Sequence, residues 1–119
     1  MKAMILRSIT DLENNHEPLT LVNIPEPIPG NDEVLIKLTA CGVCHTELDE
    51  IEGRTPPPLF PVIPGHEVIG KITALGKNVS GIKTGDSLGV AWIFSSCGKR
   101  NICLSGQENL RPDFKATGR

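Results

Sequence analysis

Proline and glycine interrupt this chain so often that its regular elements have to be short. Ten prolines and twelve glycines occur in 119 residues, and five of the prolines fall between Gly53 and Gly65. Each proline fixes its own backbone angle and restricts the residue before it, so this stretch is predicted to be an extended loop. Only 3% of the residues are aromatic, which indicates an aliphatic core. The length is enough for one domain and too short for two of ordinary size.

Short β-branched and aliphatic runs lie between these breaks. They predict five strands, over 2–9, 19–24, 34–40, 68–75 and 86–93. One helix of two turns is predicted over 45–52, because Gly53 would end it. The last twenty residues are expected to be a loop. The predicted fold class is mainly β, a small barrel or sandwich with one short helix.

The charge balance and the hydropathy pattern argue against several classes of partner. Twelve basic and fourteen acidic residues give a net charge of −2 without a basic block, so nucleic acid is a poor candidate. No apolar run approaches the roughly 18 residues of a membrane span. The first twelve residues are too short and too weakly apolar for a signal peptide. We therefore expect no membrane partner and a cytoplasmic location.

Two segments contain side chains that bind metals. Cys41 and Cys44 lie at the end of a predicted strand, and His66 follows a Pro-Gly turn. Thiolate and imidazole are preferred zinc ligands, and a catalytic zinc takes three such ligands and an open position. From the residues alone, the same pattern also fits a small buried thiol and a hydrogen-bonded histidine. Disulfides are disfavoured, because the chain has no export signal.

Four motifs occur in a recognisable order and spacing. They are the segment 42–46, Gly65-His66-Glu67 with its continuation to Val79, the segment 81–89 and the segment 104–110. Together they resemble the N-terminal catalytic domain of the medium-chain zinc alcohol dehydrogenases, over the whole chain. The resemblance implies a GroES-like, partly open β-barrel that is incomplete at its C-terminal side. It also implies NAD(P)-dependent interconversion of small alcohols with aldehydes or ketones.

The resemblance assigns roles to individual residues. Cys44 and His66 match ligands of one catalytic zinc, and Glu67 matches a carboxylate beside the zinc that can act as a third ligand. Thr46 matches the hydroxyl that binds the substrate alcohol and passes its proton outward. His45 matches a residue that faces the pyrophosphate of the cofactor. Zinc binding and acid–base chemistry are therefore expected within these five positions.

Four further positions depend on the same resemblance. Trp92 matches a wall of the substrate pocket, although a plain core tryptophan also fits. Cys41 lies where the family has no ligand, so it is expected to be a buried thiol. Glu47 stands where the family usually has an aspartate that holds the metal-bound histidine. Asp49 stands where many relatives place the histidine that ends the proton relay.

The segment 95–115 corresponds to the family's structural zinc lobe, in which four cysteines bind a second metal ion. The four positions are Cys97, Arg100, Cys103 and Arg111. A guanidinium stays protonated and cannot be a ligand, so we predict that this degenerate lobe binds no structural zinc. A rival arrangement would have one zinc held by all four cysteines of the chain.

The nucleotide-binding part of the family has no counterpart in residues 1–119. No two glycines are spaced two apart, so the Gly-x-Gly-x-x-Gly loop is missing. NAD or NADP is expected to bind only if that domain is supplied, and the isolated chain is expected to be inactive. An exposed sheet edge would allow self-association. The alternatives are a non-catalytic remnant and a stand-alone GroES-like interaction domain, such as a co-chaperonin.

Overall fold

β-Strands form most of the regular structure in the computed structural model, which describes residues 1–119. The strands are β1 (Lys2–Leu6), β2 (Leu19–Asn23), β3 (Val34–Gly42), β4 (Glu67–Leu75) and β5 (Ser87–Val90). The helices are α1 (His45–Ile51), the single turn α2 (Asn101–Leu104) and a 3₁₀ turn, Glu108–Leu110. No helix combines the length and the apolar character that crossing a membrane requires.

The strands form two antiparallel sheets. One contains β1 and β2, and the other has the order β3-β4-β5. The proline-rich loop adds a short third segment to the first sheet, because Leu6 and Val62 exchange backbone hydrogen bonds of 2.8 and 3.0 Å. Neither sheet closes on itself. The prediction of a mainly β, open architecture is therefore confirmed.

The core is small, and its members are spread over several elements. Its buried apolar residues are Ala3, Ile5, Leu6, Ile51, Ile72 and Cys103. The segment after β1 is joined to the end of α1 by a 2.9 Å hydrogen bond from the Thr10 N–H to the Ile51 carbonyl. The molecule exposes 8209 Å², whereas a compact monomer of this mass exposes about 6,300 Å². Much of the apolar surface of the sheets is therefore uncovered.

Two strands are shorter than the sequence predicts by more than one residue, and the register explains why. β1 ends at Leu6 because Leu6 pairs with Leu19, the first residue of β2, so nothing in β2 lies opposite residues 7–9. β5 ends at Val90, which pairs with Val68 near the start of β4. Beyond it, Ile93 forms a separate bridge with Ala116.

The last twenty residues contain more structure than the predicted loop. The backbone N–H groups of Cys103 and Leu104 both bond to the Arg100 carbonyl and form the turn α2. The Cys103 side chain on this turn is buried. One buried residue on a single helical turn produces no repeating apolar pattern, so the sequence does not predict this turn.

Leu6→Ala should lower the free energy of unfolding by about 2–5 kcal/mol, because Leu6 is completely buried in a core with few other members. Leu21→Ala is the matched control on the paired strand, since Leu21 is 59% exposed and its loss should change stability by less than about 0.5 kcal/mol. Urea unfolding followed by circular dichroism measures both. Equal effects of the two substitutions would contradict this assignment of the core.

Candidate metal centre

The first side chain of the site is fixed by the cap of helix α1. Cys44 is the N-cap residue and has an extended backbone conformation. Its Sγ accepts a 3.3 Å hydrogen bond from the Thr46 N–H, and its own N–H donates to Glu47 Oε2 at 2.8 Å. This is a capping box in which cysteine replaces the usual serine or threonine. The cap therefore holds the thiol at the start of the helix.

The second side chain, His66, is fixed by a glycine turn. Gly65 precedes it with a φ of +124°, which side-chain-bearing residues rarely adopt. Gly118 packs directly on this turn, and a Cβ at Gly118 would lie only 2.7 Å from the Gly65 nitrogen. His66 then enters β4 with its side chain buried. Two glycines far apart in the chain therefore set the position of one imidazole.

The two segments meet at the imidazole ring. His66 Nε2 lies 3.4 Å from Cys44 Sγ, and His66 Nδ1 lies 2.8 Å from Glu47 Oε1. With Glu47 ionised, the second contact places a proton on Nδ1, so Nε2 presents its lone pair on the side of the thiol. The candidate ligand atoms of these three residues all lie within 4.8 Å of one another.

The Glu47 carboxylate is stabilised in its charged form, although it is only 6% exposed. Burial alone raises its pKa, but hydrogen bonds from the backbone N–H groups of Cys44 and Glu47 outweigh burial, with smaller contributions from the Cys44 thiol and from His66. The net result is a Glu47 pKa below its ordinary value. The carboxylate is therefore ionised at neutral pH and can hold the Nδ1 proton.

This arrangement fits a zinc ion. Zinc–sulfur and zinc–nitrogen bonds at a tetrahedral angle separate the two ligand atoms by about 3.6 Å. The observed separation of Cys44 Sγ and His66 Nε2 is 3.4 Å. Glu47 contacts both residues, with Oε1 beside His66 Nδ1 and Oε2 on the cap. The chain thus brings together two candidate ligands and a carboxylate that contacts both.

Thr46 and Glu67 lie beside this pair. Thr46 is half-buried in the first turn of α1, with its backbone N–H bonded to Cys44. Glu67 is the first residue of β4, is exposed, and lines a cleft with His66. Its carboxylate is not among the three groups that cluster within 4.8 Å.

His45 and Asp49 form an outer pair on α1. The His45 side chain is 77% exposed, and its Nε2 lies 3.5 Å from the Asp49 carboxylate. Asp49 also accepts a hydrogen bond from Arg54. Asp49, which stands at the position expected for a relay histidine, is therefore a carboxylate. It is already paired with His45 and Arg54.

Trp92 packs against His66, the candidate histidine ligand. The two ring centroids lie 5.0 Å apart in an edge-to-face arrangement, and Trp92 also stacks on Phe114 at 6.4 Å. Trp92 lines two clefts of about 710 Å³ each. One contains His66 and Glu67, and the other includes Phe114 and Arg119. Trp92 is therefore shared by the cleft at His66 and a second cleft.

The sequence did not reveal an ion pair behind this site. Glu50, only 1% exposed, lies one turn after Glu47, and its Oε1 is 3.2 Å from Arg119 Nε. Burial raises the pKa of Glu50, with Arg119 opposing that effect. Arg119 also donates to two loop carbonyls and lies over the Trp92 ring at 5.6 Å. The spacing of the two glutamates on one helix face is the only signal in the sequence.

One expectation about the cysteines is wrong, and one rival arrangement is ruled out. Cys41 is exposed rather than buried, because it lies in the part of β3 (residues 37–41) whose residues are all exposed. The rival site with four cysteine ligands does not form, since Cys44 meets His66 while Cys97 and Cys103 lie together elsewhere, 3.4 Å apart. The cluster at α1 contains one cysteine only.

The lobe at 95–115 contains an ion network where relatives carry further cysteines. Arg100 and Arg111 each donate to the Asp113 carboxylate at 2.8 Å. Arg111 also donates to the Ser95 carbonyl at 2.9 Å. One carboxylate thus faces two permanent cations beside the two thiols. That this lobe binds no structural zinc stays a prediction.

Comparison with known proteins shows which family this chain resembles. The model of the alcohol dehydrogenase GroES-like domain matches residues 30–119. An alcohol dehydrogenase from Moraxella sp. (strain TAE123) is 43% identical over 111 residues, which is 92% of this chain and 31% of that protein.

Two solved structures are similar in fold. The cobalt- and zinc-bound thermostable alcohol dehydrogenase from Pyrobaculum aerophilum has a TM-score of 0.83 and 29% identity, over 99% of this chain and 35% of that one. CAD from Helicobacter pylori, complexed with NADP(H), has a TM-score of 0.83 and 27% identity, over 98% and 32%. The chain therefore spans about a third of the length of the relatives that it matches.

Glu47→Gln should weaken zinc binding by about 10–100-fold, because it removes the negative charge that contacts the imidazole while one oxygen accepts the Cys44 N–H. Asp49→Asn is the matched control, since it removes a carboxylate of the same helix that pairs with exposed His45. Competition with a chromogenic chelator measures both affinities. Equal affinities of the two variants would contradict the orienting role of Glu47.

Proposed function

Because the chain belongs to the family of alcohol dehydrogenase GroES-like domains, we propose that it is the N-terminal, zinc-binding catalytic part of an NAD(P)-dependent alcohol dehydrogenase. The reaction is hydride transfer between a small alcohol and the nicotinamide, with an aldehyde or ketone as product. The observation that supports this proposal most directly is the approach of Cys44 Sγ to His66 Nε2, with Glu47 on the opposite side of the ring.

Each residue of the site has a task in this reaction. Zinc, when bound, supplies a Lewis acid that makes an alcohol hydroxyl more acidic. Cys44 and His66 hold the ion, and Glu47 keeps the imidazole in the tautomer whose Nε2 is free. The Thr46 hydroxyl would bind the alcohol and relay its proton outward, accepting that proton while it releases its own towards solvent. These four residues come from one helical cap and one strand entry.

The remaining residues bind substrate, metal and cofactor from the cleft. Glu67 approaches the metal as a third ligand from the cleft that it shares with His66. Trp92 forms a wall of that cleft, and its bulk favours small alcohols. His45 faces the cofactor pyrophosphate, for which its 77% exposed side chain is available. Two firm protein ligands and one exposed carboxylate would bind zinc weakly in this chain alone.

The intact enzyme needs more chain than these 119 residues. The molecule exposes 8209 Å², well above the roughly 6,300 Å² of a compact monomer, which supports further chain covering part of this surface. That chain would supply the nucleotide fold and decide between NAD and NADP. In the isolated chain, β5 pairs only with β4, so its free edge would allow self-association. A cytoplasmic location stays a prediction.

The isolated chain, dialysed to equilibrium against a buffer that contains zinc, should bind close to one zinc per molecule, and Cys44→Ser should bind much less, because the substitution removes one of two firm ligands. Cys41→Ser is the matched control, since Cys41 is exposed and lies outside the ligand cluster. Elemental analysis by mass spectrometry measures the metal in all three proteins.

The outcomes of this zinc measurement separate the candidate functions. Zinc that persists in Cys44→Ser would place the metal on other thiols and contradict the assigned site. No zinc in the unsubstituted chain would favour a non-catalytic remnant, or a stand-alone interaction domain that has kept only the fold.

The isolated chain should not oxidise ethanol with NAD or NADP, since nothing in its sequence forms the glycine-rich loop that holds the pyrophosphate. Absorbance of the reduced nicotinamide, followed over hours with excess zinc, measures this. Turnover by a pure preparation that disappears in Cys44→Ser would show that these residues suffice and would overturn the requirement for further chain.

A further inference from the structure

The two cysteines of the degenerate lobe are in contact with each other. Cys97 Sγ and Cys103 Sγ lie 3.4 Å apart, and both thiols are free. Cys97 is exposed in the loop before α2, whereas Cys103 is 7% exposed on the turn itself. One sulfur can therefore be reached from solvent, and the other is held directly behind it.

The surroundings of this pair favour the thiolate of Cys97. Hydrogen bonding from the backbone N–H groups of Lys99 and Arg100, then the Cys103 thiol and the charge of Arg111, lower the pKa of Cys97 to about 7. Arg111 is itself fixed, because its side chain is 7% exposed and is bonded to Asp113 and to the Ser95 carbonyl. A thiolate is the reactive form in oxidation and exchange.

We propose that Cys97 and Cys103 form a redox-active dithiol, which hydrogen peroxide converts into an intramolecular disulfide. Cys97 is the attacking sulfur and Cys103 is the resolving sulfur. Closing the bond links the loop before α2 to the turn α2. The lobe is thus cross-linked by its own two sulfurs, with no metal ion required. This proposal is independent of the proposed dehydrogenase function, because it involves none of the residues at the cap of α1.

The chemistry balances in two steps. The Cys97 thiolate attacks one oxygen of hydrogen peroxide, the O–O bond breaks, and Cys97 sulfenic acid and hydroxide form. Cys103 then attacks the sulfenic sulfur, the S–O bond breaks, and the disulfide forms with release of water. The two thiols lose two electrons and two protons in total, and the peroxide is reduced to two waters. A small dithiol reductant reverses the reaction by exchange.

The test treats the full chain with a small excess of hydrogen peroxide at neutral pH. We expect loss of two of the four free thiols, a mass decrease of two hydrogens, and a peptide map that joins Cys97 to Cys103. Dithiothreitol should restore both thiols. Cys41→Ser is the matched control, and it should form the same disulfide because its missing thiol is exposed elsewhere.

A second variant tests the sulfenic acid intermediate at Cys97. Cys103→Ser should stop at Cys97 sulfenic acid, detected as a gain of one oxygen and as labelling of Cys97 by dimedone. Since Cys103 is buried, circular dichroism is used first to establish that this variant folds. The peptide map of the unsubstituted chain tests the proposal even if the variant does not fold. The proposal is overturned if Cys97 and Cys103 stay reduced while Cys41 or Cys44 oxidises, or if Cys97 joins a second molecule instead. The readout at Cys97 and Cys103 involves no residue of the candidate metal centre.

Discussion

One carboxylate joins the two halves of the candidate metal centre. Glu47 accepts the Cys44 N–H on Oε2 at 2.8 Å, and its Oε1 lies 2.8 Å from His66 Nδ1. The hydrogen bond closes the helix cap that fixes the thiol, and the charged contact sets the carboxylate against one nitrogen of the ring. Because a single buried anion does both, the position of the thiol and the orientation of the imidazole are coupled. Neither ligand is placed independently of the other.

The same geometry explains how a glutamate can stand where relatives usually have an aspartate. Glu47 occupies the third position of α1, from which a glutamate side chain reaches back to the N-cap in a capping box. That path carries Oε1 to His66 Nδ1 as well. The extra methylene is therefore taken up by the bend of the side chain towards the start of the helix, and the histidine contact is kept.

The sequence predicts structure formed by residues close together in the chain better than contacts between distant segments. The strands and α1 follow from local patterns, and the pairing of Cys44 with His66 follows from motifs that resemble a known family. Contacts set by register or by distant segments do not follow: a bulge between Leu38 and Ala40 shifts the register of β3 just before the exposed Cys41. The Glu50–Arg119 pair joins the helix to the far end of the chain, and no local pattern encodes it.

The two thiol sites of this molecule differ because their neighbours carry opposite charge. At the cap of α1, Cys44 faces an imidazole lone pair that a buried carboxylate supports, so the unshared electron pairs converge and a cation completes the group. In the lobe, Arg100 and Arg111 already supply permanent positive charge beside Cys97 and Cys103. A further cation is disfavoured there, and each sulfur has the other as its nearest reactive partner. The proposed metal site and the proposed dithiol therefore differ in the charge that surrounds the same residue type.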